Sequence, residues 1–353
     1  MPSSQLPAAK GPAGRRAGRR RLHVVALLLA LGAAALAAGG SLAQNIAFFR
    51  IGTGSTAGTY FPIGGILASA ISSPPGSRDC AGGGSCGVSG LVAVAQSTQG
   101  SVDNVRQIEE GTLESGFVQS DIAYWAYRGE ELFLTGGPLK SLRAIANLYP
   151  ETIHLVVRAD AGIESVAGIK GKRISLDRPG SGTRVDARLV LQAYGIAESD
   201  FEAFALGSGA AADALRAGEL DGFFFVAGAP ATAVLELAEE DLIELVPIAG
   251  PEADKLLEER PFFVRQTLPA DSYPGLAATD TLSVGAQWVV SAAVPEETVY
   301  AITAALWHPT TRQLLDEGHP KGSQIVLEKA LEGLGIPLHP GAERYYRETG
   351  LLK

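Results

Sequence analysis

Two glycine-rich turns carry the residues best placed to do chemistry. Gly52-Thr53-Gly54-Ser55-Thr56-Ala57-Gly58-Thr59-Tyr60 follows an apolar run and opens a helix-like stretch, and Pro179-Gly180-Ser181-Gly182-Thr183 repeats the device in the other half of the chain. Glycine lets the backbone turn without a Cβ, so N–H groups and hydroxyls converge at the positive end of the helix that follows, a setting for a carboxylate or phosphate. Gly54, Ser55 and Tyr60 are the candidates from the first turn, and Ser181, Gly182 and Thr183 from the second. Thr183 and Asp186 also have capping-box spacing, so Thr183 could serve only its own helix. A dinucleotide loop is the rival for the first turn, but no acid follows at about 20 residues.

A third polar turn, Gln119-Ser120-Asp121, follows the apolar Phe117-Val118 and opens an aromatic stretch from Ile122 to Tyr127. Gln119 both donates and accepts and suits an amide, keto or amino group, whereas Asp121 suits an ammonium. Ser120 and Asp121 are equally natural helix N-caps. In the second half Ala227, in Ala227-Gly228-Ala229-Pro230, takes the corresponding place. Arg184 is an additional candidate, and Tyr124, Trp125, Tyr127 and Phe223 to Phe225 serve either as cavity wall or as core.

Signals of catalysis are thin. Gly83-Gly84-Ser85-Cys86-Gly87 fits G-x-S-x-G but has no apolar strand before it, so the elbow that exposes a nucleophile is missing. His308, His319 and His339 each precede a proline, His154 sits in an apolar run, and no H-x-x-x-H pair offers zinc a site. We expect no catalytic pair, no metal and no cofactor.

The elements that must position these turns echo one another. Gly111-Thr112-Leu113-Glu114-Ser115-Gly116-Phe117-Val118 matches Gly218-Glu219-Leu220-Asp221-Gly222-Phe223-Phe224-Phe225-Val226, each after a helical stretch and before a turn. Strand–helix alternation implies parallel sheets that bind ligands at the strands' carboxyl ends. The expected fold is α/β and two-lobed. Each lobe is a mostly parallel sheet flanked by helices, two such sheets face a common cleft, and hinge strands near Asn147 and Val284 join them. Expected boundaries are 1–43 for a leader, 44–147 for the first part of lobe 1, 148–270 for lobe 2, and 271–353 for the return strand and C-terminal helices of lobe 1.

The leader is read from Lys10, Arg15, Arg16, Arg19, Arg20 and Arg21, the apolar run Val24 to Ala38, and Ser41-Leu42-Ala43. This is the pattern of a secretory signal cleaved near Ala43, with twin-arginine export or an uncleaved anchor as alternatives. The whole chain has 29 Lys+Arg and 38 Asp+Glu; without those six cations the balance is 23 against 38, or −15. That charge argues against nucleic acid and anionic lipid as partners. Cys80 and Cys86 enclose a glycine-rich insertion after Ser72 and, in an oxidising compartment, read as a disulfide.

Five segments in order, Gly52 to Gly64, Val118-Gln119-Ser120-Asp121, Leu148-Tyr149-Pro150-Glu151, Pro179 to Thr183, and Val226 to Pro230, resemble the TAXI solute-binding subunits of TRAP transporters. The resemblance spans nearly the whole chain after the leader, apart from the cysteine-bearing insertion. It implies the two-lobed periplasmic-binding-protein type II architecture and a periplasmic receptor, not an enzyme, that closes on a small organic anion of the glutamate, glutamine or 2-oxoglutarate class and delivers it to TRAP permease subunits. A monomer is expected. An exported hydrolase or transferase using the same cleft, or a sensor or antigen on the receptor fold, are the alternatives.

Overall fold

The structure is a computed structural model and describes residues 46–353 together with Met1, Ser3 and Gln5. The expected leader lies outside these residues. Twelve strands are present: β1 (Ala47–Gly52), β2 (Ser72–Ser73), β3 (Val88–Ser89), β4 (Leu91–Gln96), β5 (Ser115–Gln119), β6 (Leu142–Arg158), β7 (Arg173–Ser175), β8 (Glu202–Phe204), β9 (Gly222–Ala227), β10 (Ile243–Leu245), β11 (Val264–Leu268) and β12 (Thr279–Ser291). Ten α-helices accompany them: α1 (Tyr60–Ile71), α2 (Ser101–Glu109), α3 (Ser120–Arg128), α4 (Gly182–Ala193), α5 (Ser208–Arg216), α6 (Thr232–Glu239), α7 (Pro251–Glu259), α8 (Glu296–Leu306), α9 (Pro309–Gly318) and α10 (Pro340–Glu348). Among the described residues no helix is long and apolar enough to cross a membrane.

In place of the two separate sheets expected from the sequence, ten strands hydrogen-bond into one sheet with the path β4-β1-β5-β12-β6-β9-β7-β8. The cause is the length of the two hinge strands. β6 pairs with β12 over its first part and with β9 from Thr152 to Val157, while β12 turns from β11 to β5 along its own length. Parallel pairing is confined to the flanks, β1 with β4 and β5, and β7 with β8 and β9. β9 is buried along all six residues, as a Phe-rich strand covered on both faces must be.

Separate cores form on the two sides of the hinge strands. Phe49, Leu67, Phe117, Trp288, Ile302 and Tyr346 belong to one, and Ile153, Ile174, Leu191, Phe224, Val246 and Leu282 to another. α1 reaches the first core through Ile63, Leu67 and Ile71, spaced to share one helix face. The sequence echo has a physical counterpart. Glu114 takes the Nε and Nη2 of Arg50 at 2.9 and 2.5 Å and its backbone N–H at 2.7 Å. Asp221 does the same to Arg173, at 3.1, 2.6 and 2.8 Å. Each half thus clamps an arginine of its leading parallel strand with the acid that precedes β5 or β9. The insertion contains the Cys80–Cys86 disulfide and, beyond the plain loop expected, the short parallel pair of β2 with β3.

His154 is a core group on β6. Its Nδ1 lies 3.0 Å from the Phe225 carbonyl, an acceptor, so Nδ1 carries the proton and Nε2 accepts from the Tyr273 hydroxyl at 3.0 Å. Burial pushes its pKa down to about 4.

Two outcomes follow from these contacts. Asp221→Ala should lower unfolding free energy by about 1–2 kcal/mol, since the guanidinium it releases is partly exposed; urea denaturation measures it, and an unchanged midpoint would show the clamp to be idle. Because the folded-state pKa of His154 is depressed, its contribution is present above the unfolded value of about 6.5 and is lost as pH falls toward 4, by up to about 3 kcal/mol. His154→Gln should therefore flatten the loss of stability between pH 6.5 and 4, and parallel curves for the two proteins would contradict this.

Candidate functional site

At the carboxyl ends of β1, β5, β7 and β9 lies a small cavity of about 50 Å³. Gly54, Ser55 and Tyr60 reach it from the turn before α1, Gln119 from the end of β5, Ser181, Gly182 and Thr183 from the turn before α4, and Ala227 from the end of β9. Eight of the ten residues singled out in the sequence thus share one hollow.

Ser120 and Asp121 do not line it. The helix α3 takes Gln119 as its N-cap residue, which turns the next two side chains behind the cavity wall. Ser120 Oγ accepts from the Gly285 N–H of the hinge strand at 3.3 Å, and Asp121 is fully buried. Thr183 is inside α4 rather than at its cap, and its Oγ1 accepts from the Val226 N–H at 3.0 Å, tying the helix to β9. Asp186, its expected capping partner, instead accepts from Gln119 Nε2 at 2.8 Å. Arg184 turns to the Asp177 carbonyl and Glu198. Of the aromatic candidates only Phe225 lines the cavity; Phe223, Phe224 and Trp125 are core, while Tyr124 stacks on Phe262 and Tyr127 lies under Lys140.

Donors dominate the walls. α1, α2 and α4 all begin at the cavity, through Tyr60, Ser101 and Gly182, and none of the three receives a side-chain cap from its N-cap residue. Their positive ends are therefore directed at the same small space. Arg178 joins them, with its Nε buried and without a protein partner. The same guanidinium packs on Gly207, the N-cap of α5, where Ser208 Oγ is likewise buried and unpartnered. A cation resting on the positive end of a helix leaves room for an anion to relieve both.

Acceptors are fewer. Glu151, 3 % exposed on β6, takes the Tyr60 hydroxyl on Oε2 at 2.5 Å. Burial and the neighbouring charge of Asp121 push its carboxyl up to about 8. Behind the wall Asp121 and Asp186 face one another; burial raises both, Asp121 to about 6 and Asp186 further through the charge of Asp121. Like charges in so dry a place hold one proton between them. Lys321, also buried, is pulled down to about 8 by desolvation.

Direct contacts across the cleft hold it shut. Thr59 Oγ1 donates to the Gly228 carbonyl at 2.6 Å, Asp103 N–H to that of Gly180 at 3.0 Å, and Ala233 N–H to that of Ala57 at 3.1 Å. Closure also explains a glycine: a Cβ on Gly182 would stand 1.4 Å from Gln119 Oε1.

Sequence reading missed Glu151, Arg178, Asp177 and the Gln99-Gly100-Ser101 turn. Arg178 had a local signal, standing just before the Pro179-Gly180 turn, while Glu151 reaches the cavity only because β6 crosses beneath it. The residues with enzyme-like spacing lie elsewhere. Ser85 Oγ bonds the Ser72 carbonyl and the Gly87 N–H within the insertion. His308, His319 and His339 each cap a helical turn that starts with proline, Nδ1 accepting from the N–H two residues on at 3.2, 3.0 and 3.2 Å. Among the described residues one cluster has metal-ligand spacing, Cys80, Cys86 and His308, and its sulfurs are bonded to each other.

The same architecture occurs in proteins of known structure. MatC from Rhodopseudomonas palustris, solved with bound malate, matches at a TM-score of 0.50 with 12% identity, over 87% of this chain and 99% of that one. A Bordetella bronchiseptica RB50 structure matches at 0.50 with 15% identity, over 88% and 90%. The alkanesulfonate-binding protein SsuA from Xanthomonas axonopodis pv. citri, bound to MOPS, gives 0.44 with 16% identity, over 85% and 83%. At such identities the likeness is one of fold. The sequence itself is more telling, because residues 51–350 match the model of a single family, and the chain belongs to the NMT1-like family.

Proposed function

We propose that the protein is an extracytoplasmic solute-binding receptor that captures a small organic anion between two lobes by hinge closure and delivers it to a membrane permease. The observation that carries this reading is the convergence on one cavity of three helix starts without side-chain caps, together with Arg178 Nε, which has no hydrogen-bond partner among the described residues. Micromolar capture needs about 8 kcal/mol. Each charge-assisted hydrogen bond supplies roughly 1.5–3 kcal/mol, so four to six suffice. A similarly folded protein solved with bound malate supports a small anionic ligand. The TAXI-like segments favour a TRAP permease as partner and the glutamate, glutamine or 2-oxoglutarate class as ligand. In this reading lobe 1 is 44–147 with the C-terminal part, lobe 2 is 148–270, and the return crossing falls in β12 near Val284. Ser120 and Asp121 serve the hinge side of the site, and Gln119 acts both as wall and as a latch to Asp186 across the cleft.

Isothermal titration with dicarboxylates and acidic amino acids tests the receptor. At least one should bind with a micromolar or tighter Kd, and Arg178→Gln should weaken it by about 10- to 100-fold. An unaltered Kd in that variant would remove Arg178 from the site, and turnover of esters or amides with no binding would favour the hydrolase alternative.

Closure should also respond to pH. Asp121, Asp186 and Glu151 all have folded-state pKa values raised above their unfolded ones, so their contribution is complete below about pH 4 and is lost as pH rises through about 6 and about 8. Asp186→Asn should raise the Tm above that of the parent protein at pH 8, with the gap shrinking toward pH 4. A gap of the same size at both pH values would mean that the buried pair does not oppose closure.

A further inference from the structure

We infer that Glu151 is a ligand-contacting, specificity-determining residue, and that it selects an anion that also carries an ammonium group over the same anion without one. The inference rests on the receptor reading and narrows its ligand class.

A carboxyl group is out of place in a cavity built for a plain anion. The walls are otherwise rich in donors, from the starts of α1, α2 and α4 and from Arg178, and the other lining carboxyl, Asp177, is already engaged by the Arg178 N–H and the Ser181 hydroxyl. Glu151 nevertheless lines the same hollow, 3 % exposed, held in place by the Tyr60 hydroxyl on Oε2. Its one side-chain hydrogen bond among the described residues is made through Oε2, which leaves Oε1 for a ligand. The nearest basic group acting on it, Lys321, does not line the cavity.

Asp121 and Asp186 lie on the same side, and both act on Glu151's surroundings as like charges. Glu151 thus puts a carboxyl, with no cation beside it in the lining, on the hinge side of the cavity. Arg178 and the helix starts put the opposite charge on the loop side. A ligand with separated charges of both signs satisfies the two together, with its ammonium on Oε1 and its carboxylate among the N–H groups.

The test compares acids that differ only in the ammonium group: L-glutamate with glutarate, L-aspartate with succinate, and L-alanine with propionate, by isothermal titration on the full-length mature protein. In the pair that binds best, the amino acid should bind at least about tenfold more tightly, as expected for one buried charge-assisted contact. Glu151→Gln should reduce that ratio to within about threefold. Equal or tighter binding of the acid without nitrogen in the parent protein overturns the inference and leaves the anion receptor standing, with Glu151 acting as a neutral donor. So does a preference that survives in Glu151→Gln. Failure of all six compounds, and of 2-oxoglutarate and malate with them, overturns the receptor reading and this inference with it. The parent-protein comparison needs no variant and decides the matter even where Glu151→Gln does not fold.

Discussion

Helix starts without side-chain caps are the constraint around which the molecule is arranged. A helix leaves its first N–H groups without intrahelical partners, and side chains normally supply acceptors. At the starts of α1, α2 and α4 the N-cap residues Thr59, Gly100 and Ser181 make no such bond. Their hydroxyls are engaged elsewhere, Thr59 with the Gly228 carbonyl and Ser181 with Asp177 Oδ2 at 2.9 Å. Donors aimed at a common hollow repel one another's positive ends, and an anion resolves that conflict. The hinge strands make the convergence possible, since β6 and β12 each belong to both halves and hold the strand ends that carry the turns in one plane.

The repeated arginine clamp ties each half's leading parallel strand to the acid that precedes its partner strand. Arg50 with Glu114, and Arg173 with Asp221, lock neighbouring strands at positions remote from the cavity. Each carboxylate sits lower than usual because the guanidinium is bonded to it. The clefted face carries the opposite electrostatics: Asp121, Asp186 and Glu151 are raised, and energy is stored there by burial.

Much of this was legible in the chain. The glycine turns, Gln119 and the echo around Glu114 and Asp221 are local patterns, and local patterns survive folding. What failed did so for stated physical reasons. Ser120 and Asp121 were read as ligand residues or caps, but α3 begins one residue earlier than a Ser or Asp cap requires, so both side chains rotate toward the hinge. Thr183 and Asp186 have capping-box spacing, yet the cap is Ser181 and both side chains are used in tertiary contacts. Glu151 and Arg178 depend on which strand passes under which loop, and no local window contains that information. The single sheet, too, follows only from strands long enough to serve both halves.

The most direct measurement of the central claim is an amide NMR titration of the protein with an acid that binds. The backbone N–H resonances of Tyr60, Ser101, Gly182 and Thr183 should all move together and saturate at one ligand equivalent, since they come from both halves and face the same anion. Shifts confined to one half, or to residues outside these three helix starts, would contradict a ligand held between converging helix starts.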